Sequence, residues 1–240
     1  VHPLTSEIFV ATSGYYGNSD GGIYVSDNGG NNWTLVLESS GSRSRAADIE
    51  ITSNGTIYAS LGIFYTDGLY RSENGRNWTK LNNGNNGFSS GSNSEFDRLE
   101  ISVSNADPSV VYVAGRSTGG GSDDIGIFLR SNDRGVSWEN MAIPRDPNGT
   151  HFTRGQAWYD LILASDPLNA NILYAGGIDL YRSADGGQSW VQLSHWYGGF
   201  GYQEVHADQH AIMIHPNNSQ KIIFGNDGGV FLSQDGGNII

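Results

Sequence analysis

The 240-residue sequence contains no cysteine, which removes disulfides, thiolate metal ligands and a cysteine nucleophile from consideration. A cysteine-free chain also suits a bacterial envelope or extracellular protein better than a eukaryotic secreted domain, which commonly carries disulfides. Lysine is nearly absent: Lys80 and Lys221 stand alone, so no basic patch can be assembled from it. Asp and Glu number 25 against 13 Lys and Arg, a formal net charge of −12. That excess repels polyphosphates and anionic headgroups at long range, which excludes nucleic acid and anionic membrane as partners. No apolar run approaches the roughly 18 residues that a spanning helix needs, so membrane insertion is not expected. The opening Val1-His2-Pro3-Leu4 lacks the basic start and apolar stretch of a signal peptide, so the signal of an exported protein lies outside this sequence. Phosphate loops, a Gly-x-Ser-x-Gly elbow and a His-Glu-x-x-His pair are likewise missing.

What is present favours short strands and tight turns: 34 Gly, 12 Tyr, 9 Phe and 6 Trp, with only 16% charged residues. Self-similarity dominates the chain. Five segments share one frame: Gly22-Ile-Tyr-Val-Ser26-Asp-Asn28-Gly-Gly30-Asn-Asn-Trp33, Gly68-Leu-Tyr-Arg-Ser72-Glu-Asn74-Gly-Arg-Asn-Trp78, Gly126-Ile-Phe-Leu-Arg-Ser131-Asn-Asp133-Arg-Gly135-Val-Ser137-Trp138, Ile178-Asp-Leu-Tyr-Arg-Ser183-Ala-Asp185-Gly-Gly187-Gln-Ser189-Trp190, and Gly229-Val-Phe-Leu-Ser233-Gln-Asp235-Gly-Gly237-Asn-Ile-Ile240. The serines lie 46, 59, 52 and 50 residues apart, a period that suits one four-stranded blade per repeat. In each box an apolar strand ends at Ser, Asp or Asn can accept backbone N–H bonds across a tight turn, and Gly supplies positive φ. The Trp opens the next strand and folds back over the hairpin, burying an indole of ~150–250 Å². Ser26, Asn28, Trp33, Ser72, Asn74, Trp78, Ser131, Asp133, Trp138, Ser183, Asp185, Trp190, Ser233 and Asp235 are therefore expected to be folding devices, not catalytic groups.

The pattern Ser-x-Asp-x-Gly-x-Thr-Trp resembles the Asp-box, or bacterial neuraminidase repeat, of sialidases, xyloglucanase-type endoglucanases and sortilin-type propellers. Boxes three and four match at each defining position with Ser for Thr; box one has Asn28, box two is one residue short, and box five ends in Ile240. The stretch from Trp158 to Gly237 also resembles large Asp-box proteins of environmental and gliding bacteria, through Trp158-Tyr-Asp160-Leu, His206-Ala-Asp208-Gln-His210 and Gly225-Asn-Asp-Gly-Gly229. The resemblance implies an all-β propeller of four-stranded antiparallel blades at a secreted or cell-surface location in bacteria. The repeats divide the chain into one propeller segment with blades over 1–45, 46–95, 96–158, 159–206 and 207–240. Blade two reads as strands over 47–52, 56–61, 69–72 and 78–81, with alternation in Asp48-Ile-Glu-Ile-Thr52. Blade one shows no inner strand before Glu7 and blade five no outer strand, so further blades of a longer chain are expected partners.

Three constellations could carry chemistry. The long loops 14–21, 82–95, 116–124, 144–158 and 195–206 fall on one face of such a ring. Two of them are rich in rings, with His151, Phe152 and Trp158 in one, Tyr159 just beyond it at the start of the next strand, and His195, Trp196, Tyr197, Phe200 and Tyr202 in the other. Exposed aromatics with polar neighbours suit stacking on sugars, packing within the fold, or contact with a protein. Asp48, Asp160 and Asp208 open inner strands at similar positions, where xyloglucanase-type propellers place cleft aspartates; ordinary solvation is the bland alternative. His206, Asp208 and His210 project to one side at strand spacing and could meet a metal ion, although ~6.5 Å between alternate residues favours a hydrogen-bonded ladder. No cofactor beyond that ion is expected. Sialidase chemistry is disfavoured, because no Phe-Arg-Ile-Pro segment exists and Arg71, Arg130 and Arg182 belong to strands preceding the boxes. Two functions follow: an extracellular recognition propeller for glycan or protein, with His206 and His210 beside the aromatic loops, and alternatively a glycoside hydrolase of xyloglucanase-like type acting on a polysaccharide.

Overall fold

The computed structural model describes residues 1–13, 21–39, 45–91, 95–117, 119 and 121–240. The expected loop 14–21, except Gly21, and parts of loops 82–95 and 116–124 lie outside the described residues. Those described form twenty strands and no helix. The first sheet joins β1 (Ile8–Thr12), β2 (Gly22–Ser26) and β3 (Thr34–Glu38). Blade two contains β4 (Ala46–Ile51), β5 (Ile57–Leu61), β6 (Gly68–Ser72) and β7 (Thr79–Lys80). Blade three contains β8 (Arg98–Val103), β9 (Val111–Arg116), β10 (Ile125–Ser131) and β11 (Glu139–Asn140). Blade four contains β12 (Ile162–Ser165), β13 (Leu173–Gly176), β14 (Leu180–Ser183) and β15 (Val191–Gln192). A short parallel pair, β16 (Ser194–His195) and β17 (Gln203–Glu204), brackets the next loop. Blade five contains β18 (Gln209–His215), β19 (Asn218–Asn226) and β20 (Gly229–Ser233).

Each blade is an antiparallel meander in sequence order, and the inner strands β4, β8, β12 and β18 pack side by side in succession. This is the all-β architecture of a partial β-propeller. Tyr159 and Asp160, expected to open an inner strand, instead occupy a turn in which both amides donate to the Gln156 carbonyl. The strand begins only at Ile162.

The boxes behave as folding devices. In all five, the Ser Oγ accepts an amide from Gly30, Gly75, Gly135, Gly187 or Gly237 at 2.8 Å. Asp133 Oδ1 accepts from the Ser137 amide at 2.8 Å, and Asp185 Oδ1 from those of Gln188 and Ser189. The Ser137 and Ser189 hydroxyls each donate to the second carboxylate oxygen at 2.5 Å, so Ser replaces Thr without losing the bond. Asn28 and Asn74 reproduce the first acceptor but have no second one. Gly135 and Gly187 sit at φ +84° and +90°, a left-handed turn that a Cβ would strain.

The indoles of boxes two, three and four pack backwards onto the preceding blade. Trp138 meets Phe88 edge-on at 5.3 Å, and Trp190 stacks on Phe128 at 5.6 Å while donating to the Ala142 carbonyl at 2.7 Å. Trp78 is half-buried against the cluster of Phe9 and Ile23. Trp33 departs from the expectation of burial, being 42% exposed against 5% for Trp138, because no blade precedes it in this structure.

Latches cross the same junctions. Arg71 donates to the Arg134 carbonyl at 2.6 Å, Arg130 to Asn171 at 2.8 Å, and Tyr174 to the Gly236 carbonyl at 3.0 Å. Beside box five, where Ile240 stands at the Trp position, lies a hollow of about 450 Å³ lined in part by Val191, Leu193, Tyr202 and Ile239. Replacing Ile240 with Trp is expected to fill it and stabilise the chain by about 1 kcal/mol in a urea titration. An unchanged or lower midpoint would show that the hollow cannot accept an indole.

Candidate functional site

An acid stands just before the third strand of successive blades: Asp67, Asp124, Asp179 and Asp227 precede β6, β10, β14 and β20. The first three are buried and grip loops. Asp67 accepts from the Ser39 and Tyr70 hydroxyls at 2.6 and 2.8 Å. Asp124 accepts from the Thr153 hydroxyl and the Ala157 amide at 2.5 and 2.7 Å. Asp179 accepts from the Trp196 amide at 2.7 Å and pairs with Arg154 at 3.3 Å. Arg154 also pairs with Asp146 at 3.1 Å, so one guanidinium ties the loop carrying Trp158 to the anchor of the Trp196 loop.

That second loop is built on glycine. Gly198, Gly199 and Gly201 take φ of +71°, +84° and +85°, and Phe200 itself sits at +54°. The tight path buries His195 and spreads rings around it: Tyr197 edge-on at 4.1 Å, Phe200 at 5.3 Å and Trp196 stacked at 6.4 Å. Trp196, Tyr197 and Phe200 remain exposed, as do Trp158 and Tyr159. Tyr202 turns away toward the hollow beside box five. Across the loop, Tyr159 lies edge-on to His210 at 4.6 Å, and its hydroxyl donates to both Asp227 oxygens at 3.1 Å. His210 Nε2 lies 2.8 Å from Asp227 Oδ1.

A cavity of about 240 Å³ is lined by Arg154, Gln156, Ile178, Trp196, Ala207 and Asp208. Asp160 is fully buried, and neither of its oxygens has a hydrogen-bond partner. Burial first, and the charge of Asp208 second, push its pKa up to about 9, so it carries its proton at neutral pH. Asp208 Oδ1 is also buried without a partner. Its residue sits at φ +64°, which breaks the extended alternation that His206-Ala-Asp208-Gln-His210 suggested. β18 therefore starts at Gln209, His206 turns to the Ala207 carbonyl, and His210 pairs with Asp227. The three do not converge, and no group of three acidic or imidazole ligands suited to a metal ion occurs among the described residues.

Asp48 is placed differently from the other two candidates. It lies within β4, and its oxygens accept from the Ile49 and Ile101 amides at 2.7 and 2.8 Å, bolting blade two to blade three. Burial raises its pKa to about 6 despite those bonds. It joins Glu50, pushed up to about 8 by burial and then by Asp48, and Glu100, raised by the same two causes in that order. Arg98 stands 3.6 Å from Glu100 and donates to the Ala157 and Leu161 carbonyls. Sequence reasoning missed Arg154, Asp179 and this carboxyl cluster. The recurring acid before the third strand was a usable signal for Asp179; no motif marks Arg154, whose partners are Asp146 of its own loop and Asp179 of the next blade.

No protein-family profile matches the sequence. Among curated proteins, a xyloglucanase of Hypocrea jecorina is 32% identical over 145 residues, covering 59% of this chain and 16% of that protein. A xyloglucanase of Acetivibrio thermocellus is 37% identical over 97 residues, 39% of this chain and 11% of that one. The matched stretches thus span less than a fifth of these relatives. The GH74 xyloglucanase structure from Xanthomonas campestris superposes over the whole chain and 36% of its own, with TM-score 0.63 and 18% identity. The GH74 enzyme of Niastella koreensis also covers the whole chain and 42% of its own, with TM-score 0.57 and 16% identity. In sequence and in fold, the chain is similar to part of a xyloglucanase.

Proposed function

We propose that this chain is the substrate-holding part of a glycoside hydrolase of the xyloglucanase kind, acting on a polysaccharide outside the cell. The observation that carries the reading is that Trp196 and Asp208 line one cavity, while the Asp160 carboxyl is buried without a partner and close enough to Asp208 to feel its charge. The flanking rings offer flat apolar faces for sugars. Hydrolysis of a glycosidic bond requires one carboxyl that keeps its proton and one that is ionised. Asp160 has the first character through burial. Asp208 is the carboxylate that meets the sugar. Because Asp160 lies beneath the surface, its proton passes to the leaving glycosidic oxygen through a water, while Asp208 takes the proton of the attacking water, so one carboxyl loses the proton that the other gains. Asp48, its oxygens both bound by backbone, is assigned to structure.

Titration with xyloglucan oligosaccharides, beside a reducing-sugar assay, tests this. Trp196→Ala is expected to weaken binding about tenfold or more, a loss of about 1.4 kcal/mol. Asp208→Asn is expected to lower turnover at least about 100-fold while keeping most of the affinity. Unchanged turnover in Asp208→Asn would remove it from the chemistry. Binding without turnover in the unaltered chain would favour the second reading, glycan recognition alone, which the burial of Asp160 supports.

A further inference from the structure

Of the four acids that stand before the third strands, Asp227 connects the two carboxyls assigned to chemistry. Asp227 and Gly228 make the two-residue loop between β19 and β20, because Asn226 pairs with Gly229 at the end of the register. The loop is fixed from within: Asn226 Oδ1 accepts the Gly228 amide at 3.0 Å. It also presses on the segment that leads into β18, since a Cβ on Gly228 would come within 2.4 Å of His206 Cβ.

From this loop Asp227 reaches in two directions. Its amide donates to the Asp208 carbonyl at 3.3 Å. That bond holds a residue at φ +64°, a conformation costly for aspartate that persists only where the surroundings dictate it. Its carboxylate accepts from the Tyr159 hydroxyl at 3.1 Å on either oxygen, and Oδ1 lies 2.8 Å from His210 Nε2. Tyr159 directly precedes Asp160 in the turn where both amides donate to the Gln156 carbonyl, at 2.7 and 3.0 Å. The edge-on contact of Tyr159 with His210 at 4.6 Å braces the same arrangement. The main chain of Asp227 thus sets the Asp208 backbone, and its side chain sets the Asp160 turn across the junction of blades four and five. Asp227 itself does not line the cavity.

Resting on the assignment of Asp160 and Asp208 to hydrolysis, we infer that Asp227 is the positioning residue of the pair. Through Tyr159 and the Asp208 backbone it fixes where the proton-bearing carboxyl stands relative to the ionised one. A misplacement of about 1 Å in such a site can lower the rate on the order of 100-fold. The repeat supplies its own control. Asp67, at the same place in blade two, also accepts from a tyrosine hydroxyl, that of Tyr70 at 2.8 Å, but its turn lies two blades from Asp160.

Kinetics on xyloglucan oligosaccharides, thermal unfolding, and titration of the Asp160 carboxyl by carbon NMR test the inference. Asp227→Ala and Tyr159→Phe, the second keeping its ring, are each expected to lower kcat about 10- to 100-fold with KM changed less than about twofold. The double variant should fall no further than the weaker single one, because both changes cut one contact. Asp227→Asn keeps an acceptor for the Tyr159 hydroxyl and should recover most of the loss. The Asp160 titration, at about 9 in the unaltered protein, should move down toward the usual carboxylate range in Asp227→Ala and Tyr159→Phe as the turn loosens and water enters. Asp67→Ala should lower Tm while leaving kcat and that titration unchanged. An unchanged Asp160 titration in both single variants, additive losses of kcat in the double variant, or an equal loss of kcat in Asp67→Ala overturns the proposal. If the unaltered protein shows no turnover, the hydrolytic reading fails, and the Asp160 titration alone decides whether Asp227 positions that carboxyl.

Discussion

Replacing Trp138 with Ala is expected to cost about 3–5 kcal/mol, while the same change at Trp33 costs less than about 1 kcal/mol. Both residues occupy the same position of the repeated box, so the contrast isolates packing from motif. Trp138 is enclosed by Phe88 and by the side chain of Leu81 against Gly135, and its indole N–H donates to the Gly135 carbonyl at 3.2 Å. Removing it leaves a cavity between two blades and an unpaired carbonyl. The Trp33 indole has no preceding blade to cover it, and Gly30 is the glycine nearest its six-membered ring. Urea unfolding at fixed pH and low protein concentration measures both. Equal losses would mean that the indole acts through its own hairpin and not through the neighbouring blade.

Stability is expected to fall as pH rises from about 4 to about 9. An aspartate in an unfolded chain ionises near pH 3.9, whereas folded Asp160 holds its proton to about 9. Above pH 4 the unfolded state therefore releases a proton that the folded state keeps, and each further pH unit favours unfolding until Asp160 ionises. Glu50 and Asp48, raised to about 8 and about 6, act in the same direction over narrower windows. Asp185 opposes them only at the acid extreme: its hydroxyl and amide donors hold it at about 2, so its contribution is present above pH 4 and disappears as pH falls through 2. The maximum should thus lie on the acid side of neutrality. Asp160→Asn keeps the shape without the ionisable proton and is expected to gain about 2 kcal/mol at pH 8.5, with a flatter slope. A slope unchanged by that substitution would place the titration elsewhere, Glu50 being the next group to replace.

The repeated architecture was legible because the box is a local code. Ser, Asp and Gly satisfy one another within five residues, so Ser131 to Gly135 reads in sequence much as it folds. The indole's destination was not local, and the expectation of burial failed at Trp33 for that reason. Trp196 and Asp208, expected to lie close together, line one cavity, which Trp158 does not reach. Period-2 alternation did not foretell the directions of His206 and His210, one turned to the Ala207 carbonyl and the other to Asp227. One left-handed residue, Asp208, cancels that alternation before β18 begins. Asp160 was found as an acid, but its lack of partners depends on what surrounds it in space, which no spacing reveals.

The crossings of Arg71, Arg130 and Tyr174 each join a blade to its immediate successor and reach no further. Cohesion in this chain is therefore a nearest-neighbour property, like that of a row of coins held face to face. Cooperativity then has a finite range: a fault at one junction divides the row into two shorter rows instead of loosening every blade equally. Blades two, three and four are each packed against a blade on either side, and the aromatic loops lie at the junctions on both sides of blade four.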